Sequence, residues 1–384
     1  MRRLLHLGVA LSLASCGPPA AAVGPSTTAH PTAHRVSPAT ASPQPPTSGD
    51  QEAVLGPGGM TLRQEIGAVM MVGFRGPLTP AVLGDWRQHQ FGGLLVIPIN
   101  QNAQDPAAMR ELIQSVRGVM AHPVLAATNL EGGTVCFQES RVPCMAGARQ
   151  VGPQGPAAVL SEMTSMSQGL KALGFDINFA PVADVWDGVH PFIGDRSYGQ
   201  NPQTVAQDVT AAIAGMHAAG IYAAAKHFPG EGAADAASQL KLPLVSESAQ
   251  TMRTRDWIPF QAAIAAHVEF VMVGHLNAPA LDASAPTSMS ASVLQMLRTE
   301  LGYPGVIISD DLQMGALAPQ FPPPSAAVRF LVNGGDMVIL SHDIAVADAT
   351  YDAIHTAVLS GIYPRVQLDA SVQKLLSLGL RYMP

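Results

Sequence analysis

Eight short apolar runs alternate with helical patterns from about residue 51 to the C-terminus, and this alternation limits what the chain can fold into. Continuous apolar runs of this length are typical of parallel strands that are buried on both faces. The runs are Gly67–Phe74, Gly92–Pro98, Pro123–Thr128, Asp176–Val185, Ile221–His227, Phe270–His275, Gly305–Ser309 and Met337–Ser341. The clearest helical patterns are Pro106–Met120, Ala157–Leu173, Pro202–Ala218, Ala249–Ala266, Ala291–Leu301 and Ile344–Leu359.

Eight strands that alternate with helices predict a (β/α)₈ barrel, and a doubly wound open sheet is the alternative. No internal repeat and no linker interrupts the chain after residue 51, so we interpret residues 51–384 as one barrel domain. The balance of 28 acidic against 21 basic residues gives a net charge of −7. Because a nucleic-acid-binding protein needs a basic surface, we predict no nucleic-acid partner.

The N-terminus carries the pattern of an export signal. Two arginines precede an apolar stretch, Leu4–Leu13, that is too short to span a bilayer. The stretch runs into L-A-S-C at 13–16, which resembles a bacterial lipobox. The resemblance implies cleavage before Cys16, acylation of this residue and anchoring of the exported protein to a membrane. An ordinary secretory signal with a chance cysteine is the alternative.

Residues 17–50 have the composition of a tether. They contain eight prolines and only two charged residues, Arg35 and Asp50, so they cannot bury a core. An exported chain meets an oxidising compartment, where we expect Cys136 and Cys144 to form a disulfide. Two reduced, buried thiols are the alternative. The histidines do not cluster at metal-binding spacing, and the sequence therefore predicts no metal and no organic cofactor.

Titratable residues stand at the ends of the apolar runs, where a barrel places its functional groups. They are Glu131, Asp184, Asp195, Arg196, Lys226, His227, His275, Asp310 and Asp311. A buried charge costs several kcal/mol unless it is paired, so this placement indicates a site rather than a structural need.

Several motifs extend this pattern: A-K-H-F-P-G-E-G at 225–232, G-V-I-I-S-D-D-L-Q-M at 305–314, and G-F-D-I-N-F-A-P-V-A-D-V at 174–185, followed by I-G-D-R-S-Y-G at 193–199. With V-G-H at 273–275 and E-G-G at 131–133, they resemble glycoside hydrolase family 3, in its single-domain bacterial β-N-acetylglucosaminidase branch. The resemblance covers residues 60–384 in order.

The resemblance implies that Asp310 is the nucleophile of a retaining glycosidase. A helix N-cap is the alternative for Asp310, and the neighbouring Asp311 is expected to point elsewhere because side chains alternate along a strand. Arg196, Lys226 and His227 correspond to residues that hold the sugar, with a salt-bridged core role as the alternative for Lys226. His275 is expected at the site as a substrate contact or as a structural histidine.

The acid/base segment departs from the family. The family reads K-H-F-P-G-H-G-x-x-x-x-D-S-H, in which the last His transfers the proton and the Asp holds it. Here Ala237 and Gln239 stand at these two positions, and L-K-L-P at 240–243 fixes the register. An amide cannot transfer protons at a useful pH. Glu231, which replaces the second His of the motif, and Asp235 are the candidate substitutes.

A second departure follows the third apolar run. The family reads D-x-E-G-G-R-V-x-R, whereas this chain has N-L-E-G-G-T-V-C-F at 129–137. Asn129 can still bind a hydroxyl, but Thr134 and Phe137 cannot replace guanidinium groups.

Three functions are therefore weighed. The first is a membrane-tethered glycosidase that removes terminal β-N-acetylglucosamine from a cell-wall glycan or peptidoglycan fragment. The second is a non-catalytic lipoprotein that binds such sugars. The third is a glycosyl-transferring enzyme or one of altered specificity.

Overall fold

The computed structural model describes residues 54–137, 140–236 and 241–378. Eight parallel strands close into a barrel in chain order. They are β1 Met70–Val72, β2 Gly93–Leu95, β3 Leu125–Thr128, β4 Ile177–Asn178, β5 Tyr222–Phe228, β6 Phe270–Val273, β7 Val306–Asp311 and β8 Met337–Leu340. The barrel closes where Met71 of β1 pairs with Ile339 of β8. The predicted (β/α)₈ fold is thus confirmed, and the open sheet is excluded.

Helices surround the barrel. They are α1 Leu62–Ala68, α2 Pro80–His89, α3 Pro106–Arg117, α4 Ala148–Val151, α5 Pro156–Leu173, α6 Pro191–Gly194, α7 Pro202–Ala218, α8 Ala249–Thr251, α9 Trp257–Ala265, α10 Ala291–Thr299, α11 Pro323–Val332, α12 Ile344–Leu359 and α13 Arg365–Ser377. A π-helical turn, Met252–Asp256, joins α8 to α9 within the predicted helix 249–266. No helix in these ranges is both long and apolar enough to cross a bilayer.

Local sequence signals set the helix starts. The carboxylate of Asp105 accepts the backbone N–H groups of Ala107 and Ala108, at 2.8 and 2.9 Å, and caps α3. Pro106 follows at the first helical position, where its missing N–H costs nothing. The helix ends at Arg117, three residues earlier than the pattern predicts, and Gly118 follows as the C-cap.

Strand β4 is much shorter than the apolar run that predicts it. Only Ile177 and Asn178 form ladder pairs, with β3 and β5. The ladder ends at Asn178 because the backbone N–H of Ala180 turns back to the carbonyl of Asn178, at 2.7 Å, instead of bonding a neighbouring strand. A single parallel bridge between Val182 and Lys226 keeps the following residues beside β5. Asp184 therefore lies next to the end of β5.

The last helix packs against one end of the barrel. Lys374 of α13 donates to Asp336, which precedes β8, with 2.6 Å between Nζ and Oδ1. Tyr222, the first residue of β5, donates from its hydroxyl to the carbonyl of Leu378, just after α13. The strands begin at this end, so the opposite end, where they finish, is left for a site.

The structure joins Cys136 and Cys144 in a disulfide, with 6.1 Å between their Cα atoms. This spacing lies within the range that a disulfide requires. The bridge closes the loop that follows Glu131. The predicted signal segment 1–16 with Cys16, and the predicted tether 17–50, lie outside the described residues.

Candidate active site

A cavity of about 130 Å³ opens at the C-terminal ends of the strands. Five of the predicted site residues line it: Asn129, Arg196, Lys226, His227 and Asp310. They come from the ends of β3, β5 and β7 and from the loop after β4. This is the end of a (β/α)₈ barrel that carries the active site.

A larger cavity, of about 780 Å³, lies at the opposite end of the barrel. Its charged side chains are paired with one another, as in Arg117 with Asp176 (2.5 Å) and His217 with Glu269 (3.1 Å). These pairs join neighbouring elements at the starts of the strands. Residues at this end of a (β/α)₈ barrel stabilise the fold rather than take part in catalysis. We therefore place the site at the smaller cavity.

Glu131 is the electrostatic centre of the site. Its carboxylate accepts two hydrogen bonds from Arg196, at 2.7 and 2.8 Å, and lies 2.5 Å from Nζ of Lys226. Burial alone would raise the pKa of Glu131, but the two cations together hold it well below its ordinary value. The carboxylate therefore stays ionised and fixes both cations beside the cavity.

Lys226 is buried inside the barrel at the end of β5. Burial lowers the pKa of its ammonium group, against the pull of Glu131. Nζ also donates to Oδ1 of Asn129 at 2.7 Å. An ammonium group has three donors. After these two contacts with described residues, one donor remains for a ligand, so the salt-bridged role and the sugar-holding role are compatible.

His227 connects the cavity with two buried carboxylates. Its Nδ1 lies 2.8 Å from Asp184 and 3.2 Å from Glu231. Its Nε2 lies 3.3 Å from Nη2 of Arg196. Arginine can only donate, so we assign the neutral ring as the tautomer with its proton on Nδ1. Burial lowers the pKa of His227, but Glu231 and Asp184 raise it more, and the net shift is upward.

Asp184 holds this cluster together. Its Oδ1 accepts the backbone N–H of Glu231 at 2.7 Å, and both of its oxygens lie 3.2 Å from the backbone nitrogen of His227. Asp184 stands at the end of an apolar run, but no motif in the sequence assigns it a role. Its partners lie 43 and 47 residues further along the chain, so only the barrel brings the three together.

Glu231 is 2% exposed and lies behind His227. Burial, helped by Asp184 and Asp310, raises the pKa of its carboxyl group to about 7, although His227 and Arg196 oppose the shift. Its Oε1 has no hydrogen-bond partner among the described residues. A carboxyl group in this setting holds a proton near neutral pH.

Asp235 lies in a different environment. It is exposed, accepts the backbone N–H of Leu244 at 2.8 Å and pairs with Lys241 at 3.1 Å. The N–H of Leu244 and then Lys241 lower the pKa of its carboxyl group. Asp235 therefore stays ionised and is a poor proton donor. Ala237 and Gln239, at the family's dyad positions, lie outside the described residues.

Asp310 ends the buried part of β7 and is 7% exposed at the cavity wall. Its Oδ1 accepts the backbone N–H of Asp311 at 2.8 Å. The next helix, α11, begins only at Pro323, so the N-cap alternative for Asp310 does not apply. Asp311 also borders the cavity, but its carboxylate is engaged by the hydroxyl of Ser341 at 2.6 Å.

His275 is a correction to the predicted set of substrate contacts. The ring is fully buried, and the cavity lining does not include it. Its Nδ1 lies 2.7 Å from the hydroxyl of Ser288, and its Nε2 lies 3.0 Å from the carbonyl of Asp311. Both ring nitrogens are thus engaged by protein, which is the structural alternative. The ring supports the end of β7 beside Asp310.

Comparison with known proteins identifies the family to which the chain belongs. Residues 61–378 match the family model described as Glycosyl hydrolase family 3 N terminal domain. A protein named Beta-hexosaminidase from Stenotrophomonas maltophilia is 32% identical over 309 residues, which cover 77% of this chain and 91% of that protein. Another of the same name, from Alkalilimnicola ehrlichii, is 35% identical over 252 residues, which cover 64% of this chain and 72% of that protein.

The solved structure of a glycoside hydrolase family 3 β-N-acetylglucosaminidase from Paenibacillus sp. superposes with a TM-score of 0.79 at 32% identity. The match covers 84% of this chain and 63% of that one, so this chain spans less than two thirds of that structure's length. The family match over most of the chain and the S. maltophilia relative establish its membership. The chain belongs to glycosyl hydrolase family 3.

Proposed function

We propose that the protein is a retaining β-N-acetylhexosaminidase that acts on terminal β-N-acetylglucosamine of cell-wall-derived glycans, including peptidoglycan fragments. One observation carries the proposal: the carboxylate of Asp310 shares the wall of one cavity with Arg196, Lys226 and His227. A carboxylate facing fixed donors is what a glycosidase needs below a sugar ring. The names of the relatives supply the sugar class.

Asp310 acts as the nucleophile in this proposal. The backbone N–H of Asp311 orients the carboxylate through Oδ1. Attack by the carboxylate on the anomeric carbon forms a glycosyl ester, while the bond to the leaving oxygen breaks. Water then hydrolyses the ester, and two inversions give net retention of configuration.

The sugar is held by groups that are already fixed in place. Glu131 and Asn129 lock Lys226, and Glu131 locks Arg196 through two parallel hydrogen bonds. Donors held in this way lose little side-chain entropy when a hydroxyl group arrives. Asn129, which replaces the family's charged residue, supports binding through Lys226.

Glu231 is the better of the two substitutes for the missing acid/base. A general acid must carry its proton at the working pH. Glu231 does so near pH 7, whereas Asp235 stays ionised. The cavity wall contains His227 rather than Glu231. The assigned tautomer of His227 carries its proton on Nδ1 and cannot relay a second one from Glu231. Glu231 therefore acts after a local movement that brings its carboxyl group to the cavity.

A sugar-binding lipoprotein without turnover is the second candidate function. Ala237 and Gln239 at the dyad positions, and Thr134 and Phe137 at the two arginine positions, favour it. The strand-end residues that hold a sugar do not depend on these four. Loss of an acid/base costs about 10²- to 10⁴-fold in rate, whereas it leaves ground-state binding largely intact.

We further propose that residues 1–16 direct export, that Cys16 carries the lipid anchor, and that residues 17–50 tether the barrel to the membrane surface. The lipobox pattern and the proline-rich composition support this arrangement. The disulfide between Cys136 and Cys144 also supports it, because such bonds persist in oxidising compartments.

Hydrolysis of 4-nitrophenyl β-N-acetylglucosaminide by the full-length protein tests the function. Nitrophenolate leaves without protonation, so the assay examines the nucleophile apart from the missing acid. We expect turnover that Asp310→Asn abolishes and Asp235→Asn leaves unchanged. A folded protein that releases no nitrophenolate, but binds N-acetylglucosamine-containing fragments, would instead establish the sugar-binding function.

A further inference from the structure

Three metal-ligand side chains meet behind the cavity wall. The potential ligand atoms of Asp184, His227 and Glu231 all lie within 4.8 Å of one another. The closest pairs are already at 2.8 Å, from His227 to Asp184, and 3.2 Å, from His227 to Glu231. One nitrogen and two oxygens thus converge on a small volume.

The cluster places two buried carboxyl groups around one imidazole nitrogen, and no lysine or arginine among the described residues bonds either of them. Asp184 and Glu231 are 0% and 2% exposed. The nearest cation, Arg196, bonds both oxygens of Glu131 and reaches only the far nitrogen of His227. Oε1 of Glu231 has no hydrogen-bond partner among the described residues. A buried polar oxygen without a partner is costly, and a cation that displaces the proton of Glu231 and binds its carboxylate would relieve the cost.

We propose that Asp184, His227 and Glu231 form a binding site for a divalent transition-metal ion of the zinc type. Zinc accepts imidazole nitrogen and carboxylate oxygen, and three protein ligands leave one tetrahedral position open. Ligand atoms about 2.0–2.1 Å from a tetrahedral ion lie about 3.3–3.4 Å apart. The two separations from His227, 2.8 and 3.2 Å, need to lengthen by at most about half an ångström to reach this geometry, and the third lies within 4.8 Å.

Two features of the structure favour metal binding here: Asp184 is held in place, and His227 is reached from the cavity. The backbone N–H groups of Glu231 and His227 fix Asp184, and His227 lies in the cavity wall, which gives an ion a way in. Coordination through Nδ1 leaves the ring proton on Nε2, so the 3.3 Å contact with Arg196 opens while Arg196 keeps Glu131. Sequence spacing predicted no metal because Asp184 is 43 residues away from His227.

Titration of zinc chloride into metal-free, full-length protein by calorimetry, without substrate, tests the proposal. We expect one zinc ion per chain at this site. Glu231→Gln should weaken binding at least 10-fold, because a neutral amide is a poor ligand. Glu231→His should restore binding to within about 10-fold of the wild type, because imidazole is a zinc ligand. Thermal unfolding of each metal-free variant establishes that it is folded.

Two matched controls separate this site from others. Asp235→Asn removes a carboxylate from the same loop, and His190→Asn removes the half-exposed pair of His190 with Asp187. Both should bind zinc like the wild type. Absence of saturable binding, wild-type affinity in Glu231→Gln, or equally weak binding by Glu231→His and Glu231→Gln would overturn the proposal. None of these outcomes depends on glycosidase activity.

Discussion

The two halves of the site differ in how they are built. The strand-end half consists of Asn129, Glu131, Arg196, Lys226 and Asp310, and the loop half consists of residues 231–243. In the strand-end half, a buried carboxylate holds two cations at fixed distances. In the loop half, Asp235 and Lys241 form an exposed pair, and the family's proton-transferring dyad is replaced.

The difference separates two requirements of a glycosidase. Holding a sugar and attacking its anomeric carbon need groups that are fixed and desolvated, and strand ends provide this rigidity. Proton transfer needs a group that changes its charge during the reaction. In the proposed mechanism, the barrel residues meet the first requirement, whereas the second depends on Glu231. Substitutions in the two halves should therefore have different consequences.

The largest effect is expected from Asp310→Asn. An amide cannot form the glycosyl ester, so the rate with 4-nitrophenyl β-N-acetylglucosaminide should fall by about 10⁴-fold or more. Steady-state kinetics measures the change. Binding of N-acetylglucosamine should change little, because the donors remain. A rate within 10-fold of the wild type would show that another group is the nucleophile.

Glu131→Gln should cost the most stability. It leaves Arg196 and Lys226 buried without their counter-ion, which costs about 3–5 kcal/mol in the free energy of unfolding. Asp235→Asn, the matched change in the loop half, removes a solvent-exposed pair and should cost less than about 1 kcal/mol. Urea denaturation of both variants measures the contrast. Equal losses would contradict the division of the site into two halves.

Restoring the dyad should repair the loop half. The double variant Ala237→Asp, Gln239→His places the family's residues back in register. We expect a gain of about 10²-fold for a substrate with a poor leaving group, such as a disaccharide of N-acetylglucosamine, because it needs protonation. The nitrophenyl substrate should gain much less. A similar gain with both substrates would argue against a missing proton donor.

Asp208 is a buried carboxylic acid that, unlike Glu131, has no cation bonded to it among the described residues, and it should make the free energy of unfolding depend on pH. Asp208 of α7 is fully buried, neither of its oxygens has a hydrogen-bond partner among the described residues, and burial raises its pKa to about 6. The folded state therefore favours the protonated form. This group contributes to the free energy of unfolding below pH 3.8, which is its pKa in the unfolded chain. The contribution is lost as the pH rises to about 6, which is its pKa in the folded state.

Asp208→Asn should accordingly raise the free energy of unfolding at pH 7 by about 3 kcal/mol. The gain should vanish near pH 3.8. Denaturation curves at several pH values give the profile. An equal gain in the free energy of unfolding at pH 3.8 and at pH 7 would contradict the raised pKa of Asp208.

Much of the architecture could be predicted from the sequence because the signals are local. Continuous apolar runs such as Met337–Leu340 mark strands buried on both faces, and Asp105 before Pro106 marks a helix start. The length of β4 could not be predicted from its apolar run, which continues beyond Pro181 without a change in hydropathy. A local backbone bond, from the N–H of Ala180 to the carbonyl of Asn178, ends the strand rather than any change in composition.

Some features of the candidate site could likewise be predicted from the sequence, and others could not. Motif spacing predicts that Asp310, Arg196, Lys226 and His227 meet, and the cavity lining brings them together. It cannot predict that Glu131 pairs with a residue 65 positions later, or that His275 uses both ring nitrogens on protein. Such contacts depend on how elements that are distant in sequence pack, which no local pattern encodes.

Trapping of the glycosyl-enzyme tests the central claim most directly. The full-length protein would be incubated with an activated 5-fluoro analogue of N-acetylglucosamine, which slows hydrolysis of the covalent intermediate, and then digested and analysed by mass spectrometry. The proposed mechanism predicts one sugar attached to the peptide that contains Asp310, and none in Asp310→Asn. A folded protein that gives no adduct, or an adduct on another residue, would contradict it.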